Sequence, residues 1–171
     1  MIRRALESDL DGIMVCIEDA RLRLKESGSK QWNAPDGYPR RIDLYNDIMN
    51  ANCYINIKND VIAGVVVYEG KEPEYDNPYG NWLTNGDNYL TIHRLATRTS
   101  FQNAGIAKEL MEYAEVYAKE TKRQSIRIDT HPKNLAVQHL ALTLNYTLCG
   151  YVFYSRIQDE AKRLIYEKLI K

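Results

Sequence analysis

The segment from Tyr89 to Lys119 constrains the fold more than any other part of the sequence. Its apolar start, Tyr89–Thr97, predicts a buried strand, and the small residues of Gln102–Ala107 predict a turn that opens a helix. The first amides of a helix have no partners within it, and the helix dipole adds partial positive charge there. Because Gly105 keeps side-chain bulk away from those amides, the segment predicts an anion site suited to a pyrophosphate.

Composition and charge restrict the class of protein. The chain has 171 residues, of which 44% are hydrophobic and 27% charged, and this predicts one globular domain over residues 1–171. Lys plus Arg and Asp plus Glu are balanced at 23 each, which argues against a nucleic-acid partner. The sequence has no apolar run that could span a membrane and no secretory signal, so no membrane partner is expected.

The cysteines bear on the cellular compartment. Cys16, Cys53 and Cys149 are odd in number, far apart in sequence and without metal-ligand spacing. They predict reduced, packed thiols and a cytoplasmic protein.

Hydrophobic periodicity predicts the element order strand, two helices, three strands, helix, strand, helix, two strands. This order predicts an α/β (α+β) fold with a mixed sheet of six to seven strands and about four helices. The stretch from Tyr89 to Asp129 predicts a right-handed parallel crossover. The predicted strands cover residues 2–5, 53–57, 61–68, 89–97, 125–129, 147–155 and 163–170, and the predicted helices begin near residues 8, 39, 107 and 134.

The motifs within this order resemble those of the GNAT superfamily of acyl-CoA-dependent N-acyltransferases. Gln102–Ala107 fits the pyrophosphate turn of that family, Gln/Arg-x-x-Gly-x-Gly/Ala, with Ala at the last position. The approach strand Arg94-Leu95-Ala96-Thr97 and the helix Asn134-x-x-Val137-x-x-Leu140 fit as well. The resemblance covers nearly the whole chain in element order. Four further motifs resemble a bacterial branch of the superfamily: Gln31-Trp32, Gly37-Tyr38-Pro39, His93-Arg94 and Asp129-Thr130-His131.

The resemblance implies acetyl-CoA as co-substrate, with no metal, and it assigns the cofactor-binding residues. The pantetheine arm would bond along Leu95, Ala96 and Thr97 like an added strand. Asn134 would contact the CoA arm. The pyrophosphate would lie on the amides of Gln102, Asn103, Ala104, Gly105, Ile106 and Ala107. The alternative is that Gly105 only permits close helix packing.

Acylation of an amine needs a general base, and histidine titrates in the right range. His93 is the first candidate, because it lies just before the proposed pantetheine strand; strand alternation predicts that it shares a face with Leu95 and Thr97. His131, with Asp129, is the second candidate, at the carboxyl end of the next strand. Ordinary hydrogen-bonded or turn-forming roles remain open for these three residues.

The general acid is less well defined by the sequence. Many family members have a tyrosine seven residues after the Asn, and this position is Ala141 here. Tyr146 lies nearby and is kept as a catalytic candidate, although a packed aromatic after the helix is the competing interpretation. Tyr151 or Tyr154 could serve instead, or the thiolate could leave unassisted.

The acceptor side of the family is covered by two long loops, which correspond here to residues 31–39 and 70–88. Loops of the second length are often functional. Their aromatic residues could wall an acceptor pocket. The acidic residues Asp36, Glu72, Glu74 and Asp76 could attract a cationic amine, but a solvated acidic loop over packed aromatics is equally open. The candidate substrate-binding residues are Trp32, Tyr38, Tyr75 and Trp82.

The resulting hypothesis is an acyltransferase that moves an acetyl group from acetyl-CoA to an amine, by direct attack in a ternary complex. The acceptor would be a small-molecule or peptide amine, and a homodimer is one option for the assembly. One alternative is a GNAT-fold module that binds acyl-CoA without chemistry. A nucleotide-binding module is disfavoured, since no Lys-Ser/Thr follows the glycine.

Overall fold

A computed structural model describes residues 1–155 and 161–171 of the chain. Within these residues there are four α-helices and eight strands, and short 3-10 turns lie between some of them. In chain order they are β1 (Ile2–Arg4), α1 (Leu10–Glu26), α2 (Arg41–Met49), β2 (Cys53–Lys58), β3 (Val61–Glu69), β4 (Tyr79–Gly80), β5 (Tyr89–Thr97), α3 (Ile106–Glu120), β6 (Ser125–Thr130), α4 (Leu135–Thr143), β7 (Thr147–Phe153) and β8 (Lys162–Leu169).

The strands form one mixed sheet in the order β1-β2-β3-β5-β6-β8-β7-β4. Strands β5 and β6 run parallel and pair Tyr89–Ile92 with Ser125–Ile128, as the predicted crossover requires. The fold class is therefore confirmed. The sheet has one strand more than the predicted maximum of seven, because Tyr79 and Gly80 inside the long insertion pair with Tyr151 and Gly150 of β7.

The chain divides into two compact units: residues Met1–Tyr68 with His93–Tyr113, and residues Glu69–Ile92 with Ala114–Lys171. In the first unit, Ile13, Ile17 and Ala20 of α1 are buried at helical spacing, so that one face of the helix is apolar. They pack with apolar residues of α2, β2 and β3 into one core. The second unit has its own core, formed by Tyr75, Tyr89, Cys149, Val152, Tyr154 and Ile165 with Trp82 at its edge.

Helix α1 begins at Leu10, two residues after the predicted start near residue 8. A short 3-10 turn, Glu7–Asp9, precedes the helix. The carboxylate of Asp9 therefore reaches back to the amide of Leu6 at 2.7 Å, and the Arg3 guanidinium holds the same carboxylate at 2.7 Å. The bonds from Arg3 and Leu6 lower the pKa of Asp9 despite a counteracting effect of burial.

Close packing at Gly64 brings the first turn of α3 onto β3. A Cβ atom at this position would lie 2.6 Å from the Ile106 side chain and 3.2 Å from the carbonyl oxygen of Ala96. Ile106 and Leu110, both fully or almost fully buried, pack over the glycine. This contact fixes where α3 begins relative to β3 and β5, and so it sets the place of the turn that precedes α3.

No helix in the described part of the chain is long and apolar enough to cross a membrane.

Candidate active site

The turn before α3 exposes backbone amides at the position predicted for a pyrophosphate. Asn103 and Gly105 adopt φ angles of 63° and 79°, and residues 102–105 are exposed. Both angles are left-handed, a conformation open to glycine and tolerated by asparagine. The first residues of α3 and the two left-handed residues therefore present their N–H groups together with the positive end of the helix dipole.

Not all six predicted amides are available in this turn. The Gln102 amide donates to the Thr99 carbonyl at 3.0 Å, and the Ala104 amide donates to the Phe101 carbonyl at 3.1 Å. Among the described residues the amides of Asn103, Gly105, Ile106 and Ala107 have no backbone acceptor. The predicted anion site would therefore use these four amides rather than six consecutive ones, because the amides of Gln102 and Ala104 are bonded within the turn.

The space above Gly105 is open. A Cβ atom added there would meet no heavy atom within 4 Å, apart from the neighbours of Gly105 in the chain. The alternative role of Gly105, close helix packing, therefore does not apply, and that role belongs to Gly64 instead. The glycine supplies a left-handed angle and leaves room for a ligand.

The predicted pantetheine strand is anchored along one edge. The Arg98 amide donates to the Ala63 carbonyl of β3 at 2.8 Å. Since successive residues of a strand point their backbone groups to opposite edges, those of Leu95 and Thr97 point away from β3. This is the orientation that an added, strand-like ligand requires.

Side chains of helix α1 form hydrogen bonds with the end of β5 and the residues that follow it. Arg23 donates to the Thr97 carbonyl at 2.6 Å and to the Thr99 hydroxyl at 2.6 Å, while Asp19 accepts from the Thr99 amide at 2.7 Å. The Thr97 carbonyl, predicted to be free for pantetheine, is therefore engaged by a side chain. Burial lowers the pKa of Arg23, although the nearby Asp19 charge opposes this effect.

His93 lies on β5 and is half-buried. The predicted alternation does not run through the next residue, because Arg94 has a φ of 50° and kinks the strand. His93 and Leu95 are therefore not related by the regular two-residue period of an extended strand.

His131 and Asn134 lie together in the turn between β6 and α4. His131 is buried; its Nδ1 atom accepts from the Lys133 amide at 3.0 Å, and its carbonyl accepts from the Asn134 amide at 2.9 Å. The Asn134 side chain accepts from the Val137 amide at 3.4 Å and caps α4. The turn chemistry considered as an alternative for these residues is thus present.

The sequence of the chain matches the model of the Acetyltransferase (GNAT) family over residues 19–146. The chain belongs to the GNAT acetyltransferase family. Its fold agrees with a GNAT-family acetyltransferase of Streptococcus agalactiae 2603, with a TM-score of 0.90, 35% identity and coverage of 100% of this chain and 95% of that one. No curated protein matches the chain in sequence.

More distant structures share the GNAT fold. A GNAT-family acetyltransferase of Listeria monocytogenes 4b F2365 has a TM-score of 0.73 at 18% identity, with coverage of 99% of this chain and 94% of that one. An N-acetyltransferase of Staphylococcus aureus Mu50 has a TM-score of 0.70 at 16% identity, with coverage of 100% and 98%.

In this GNAT chain, Tyr146 is buried to 3% exposure, and its hydroxyl has no hydrogen-bond partner among the described residues. Burial, with a smaller contribution from the Glu115 charge, raises the pKa of Tyr146 far above its ordinary value. A buried phenol with a raised pKa is a poor proton donor to a ligand at the surface. The geometry therefore favours the packed-aromatic interpretation. Ala141, at the position of the usual GNAT tyrosine, is itself fully buried.

The predicted acceptor-side aromatics of the first unit are half-buried. Trp32 packs against the core that contains α1, and its carbonyl accepts from Arg21 at 2.8 Å. Tyr38 lies with its ring centroid 5.4 Å from the Arg94 guanidinium carbon. Trp32 therefore flanks the interior of its unit, Tyr38 contacts Arg94, and both side chains keep part of their surface accessible.

Tyr75 and Trp82 of the second unit pack against each other; Tyr75 is buried and Trp82 is half-buried. Their ring centroids are 5.1 Å apart, and Tyr75 is exposed by only 1%. The Tyr75 hydroxyl donates to Oδ2 of Asp129 at 2.6 Å, and the Tyr154 hydroxyl donates to the same oxygen at 2.6 Å. Tyr75 is thus a core residue, as the alternative of aromatics packed beneath the loop proposes. Tyr75 and Trp82 both also line a cavity of about 260 Å³ in the insertion.

Sequence reasoning missed a buried polar cluster in the second unit. Arg127 donates through Nε to Glu167 at 3.0 Å, and its guanidinium carbon lies 4.1 Å and 3.9 Å from the ring centroids of Trp82 and Tyr89. Ser125 and Thr84 also donate to Glu167. The alternation of β6 carried the signal, because Ile126 and Ile128 on one face leave Ser125 and Arg127 on the other.

Proposed function

We propose that this GNAT acetyltransferase moves an acetyl group from acetyl-CoA to an amine by direct attack, without an acyl-enzyme. The observation that carries the proposal is the open turn at Gly105: a Cβ atom there would meet no heavy atom within 4 Å apart from its chain neighbours, and four amides of this turn and the start of α3 have no backbone acceptor among the described residues. Family membership supports the acetyl transfer, and the turn supports CoA as the donor.

The residues present fit the cofactor. A diphosphate needs several N–H donors and no bulky side chain, and the amides of Asn103, Gly105, Ile106 and Ala107 meet this need. The edge of β5 that points away from β3 offers backbone groups of Leu95 and Thr97 to the pantetheine amides. Arg23 holds the Thr97 carbonyl in this structure, so cofactor binding requires either that Arg23 moves or that pantetheine uses the remaining groups.

The reaction makes one bond and breaks one bond. The amine nitrogen attacks the carbonyl carbon of the acetyl group, a C–N bond forms, and the C–S bond breaks. The nitrogen loses a proton to a base, and the thiolate of CoA takes up a proton from water or from a side chain. The chain must therefore supply a base near the amine and donors for the carbonyl oxygen.

His93 is the proposed base, since it lies on β5 immediately before the kink that precedes the pantetheine segment. His131 is the second candidate, although its Nδ1 atom already accepts from the Lys133 amide. In the first unit, the acceptor-side candidates are Trp32 and Tyr38. The proposed acceptor is a small-molecule or peptide amine.

A second function is favoured by one observation: neither of the two positions first considered for a general acid, 141 and 146, is suited to that role. The usual tyrosine is replaced by buried Ala141, and the hydroxyl of buried Tyr146 has no hydrogen-bond partner in the described chain. These features suit a protein that binds acyl-CoA without turnover and acts as a sensor or partner module.

A thiol-release assay with acetyl-CoA and a panel of primary amines separates the two functions. We expect turnover with at least one amine. His93→Ala should lower kcat by about a hundredfold or more, because the variant lacks the general base. Its affinity for CoA should stay within about threefold of the wild-type value. His139→Ala, at an exposed position of α4, is the matched control and should leave both unchanged. Tight CoA binding with no turnover of any amine would favour the sensor, and equal turnover in His93→Ala would remove His93 from catalysis.

A further inference from the structure

Arg94 occupies a backbone conformation that its surroundings impose. Its φ of 50° lies in the left-handed region, which is unfavourable for a residue with a Cβ atom. Among the described residues, the other non-glycine residues with positive φ lie in turns, whereas Arg94 lies inside strand β5. A strained residue within a regular element persists only where neighbouring groups hold it, and such residues concentrate at functional sites.

The Arg94 side chain ends in a buried ion pair with Asp47 of α2. Its Nη1 atom lies 3.2 Å from Oδ1 and 3.1 Å from Oδ2 of Asp47, and the two side chains are exposed by 14% and 7%. A carboxylate this deeply buried is costly without a cation, and apolar residues of similar volume often stabilise a core as well or better. The presence of the pair is therefore weak evidence for a purely stabilising role.

The same guanidinium also contacts the loop that is expected to cover the acceptor. Its carbon atom lies 5.4 Å from the centroid of the Tyr38 ring. Arg21 also holds the segment around Tyr38, since it donates to the carbonyls of Gly37 and Pro39 at 3.0 Å. Arg94 thus joins three elements of the first unit: strand β5 directly after His93, helix α2 and the Tyr38 loop.

We propose that Arg94 is a positioning residue: its contacts with Asp47 and Tyr38 hold the kink of β5, and the kink aims His93 towards the acceptor-side loop. The role of Arg94 in catalysis rests on the proposed function. The coupling that Arg94 provides among β5, α2 and the Tyr38 loop does not. The pantetheine segment after the kink has separate anchors, namely the Arg98–Ala63 bond and the Arg23–Thr97 bond. Loss of the Arg94 contacts should therefore disturb His93 and Tyr38 more than it disturbs CoA binding.

Asp47→Asn is the decisive variant, because it removes the charge partner and leaves Arg94 and β5 unchanged in sequence. In NMR spectra of the full chain, the His93 imidazole and Tyr38 ring signals should shift, while those of exposed His139 stay in place. CoA, used as the binding probe, should keep its Kd within about threefold. Asp11→Asn is the matched control, since Asp11 also pairs with an arginine, Arg41, but at the surface, and it should move neither signal.

Replacements of Arg94 itself separate backbone strain from side-chain contact. Arg94→Gly relieves the left-handed angle and Arg94→Ala does not, so the glycine variant should unfold at the higher temperature. Both should lose most of kcat with an amine found by the thiol-release assay, and Arg94→Lys should recover part of it, since lysine keeps the charge but not the planar group. Lys122→Gly, at an exposed turn with a φ of 56°, should change neither kcat nor the His93 signals.

Unmoved His93 and Tyr38 signals in Asp47→Asn, or kcat within about twofold of wild type in Arg94→Gly, would overturn the positioning role. Failure of the proposed function has a different signature: the wild-type protein would not bind CoA or would not turn over any amine, while Asp47→Asn would still shift the His93 signals.

Discussion

The turn Gln102–Ala107 of the first unit and the insertion of residues 70–88 in the second unit are both mostly exposed, yet they are built in opposite ways. The turn is held by two of its own backbone bonds and exposes its remaining amides. The insertion is held by side chains, since Leu83 and Thr84 donate their amides to the buried carboxylate of Glu167.

The difference shows which changes each region tolerates. Binding at the turn depends on backbone groups and empty space, so it is sensitive to added bulk and insensitive to the loss of most side chains. The insertion depends on a buried charge that several donors must satisfy, so it is sensitive to the loss of single side chains. Changes in the turn should therefore affect ligand affinity, and changes beneath the insertion should affect stability.

Gly105 and Gly86 give the sharpest test of this contrast. They have φ angles of 79° and 80°, and a Cβ atom would meet nothing within 4 Å at either position. Gly105→Trp should weaken CoA binding by about a hundredfold or more, equivalent to about 2.8 kcal/mol, because the indole fills the space over the amides. Gly86→Trp carries the same backbone strain in the insertion and should leave the CoA Kd unchanged. Calorimetric titration of both variants with CoA measures the difference, and equal affinities would remove the contrast.

Loss of the buried charge of Glu167 should lower the stability of the protein and leave its affinity for CoA unchanged. Glu167→Gln should lower the free energy of unfolding by about 2 kcal/mol, because Arg127 is left buried without its counter-charge. Urea unfolding measures this change, and Glu112→Gln, half-exposed on α3, is the control with an expected change below about 0.5 kcal/mol. CoA affinity should stay near that of the wild type; a large loss of affinity would show that the two regions are not separable in function.

The contribution of Glu167 should also depend on pH. Burial acts to raise the pKa of Glu167, but the bonds from Ser125, Thr84 and Arg127 outweigh it, and the pKa is lowered from the ordinary 4.5. The unfolded state therefore binds a proton more readily than the folded state, so the stabilisation is full above pH 4.5 and is lost as the pH falls through the folded pKa. The stability difference between wild type and Glu167→Gln should be constant near neutral pH and shrink in acid. A difference that grows in acid would contradict this assignment.

The same contrast explains what the sequence could predict. Strand β5 appears with the predicted bounds Tyr89–Thr97, because its apolar run and the following turn are local signals. The turn before α3 was predictable for the same reason, since small residues at a helix start indicate it, whereas anion binding by this turn stays a prediction. Which amides remain free was not, because the bonds of Gln102 and Ala104 depend on the tight turn that the chain adopts at Thr99–Phe101.

Contacts between residues far apart in sequence could not be predicted from the sequence. The pairs Arg94–Asp47 and Arg127–Glu167 join residues 47 and 40 positions apart. Strand alternation marks one polar face of β6, but it does not identify the partner that satisfies it. The same limit applies to β4, because two residues inside a polar insertion carry no period, and their pairing with β7 depends on the completed sheet.

The most direct test of the central claim is an amide NMR titration of the full chain with CoA. The amides of Asn103, Gly105, Ile106 and Ala107 should show the largest shifts, and the internally bonded amides of Gln102 and Ala104 should shift less. A titration in which these four amides stay in place while CoA binds elsewhere, or in which CoA does not bind, would contradict the account.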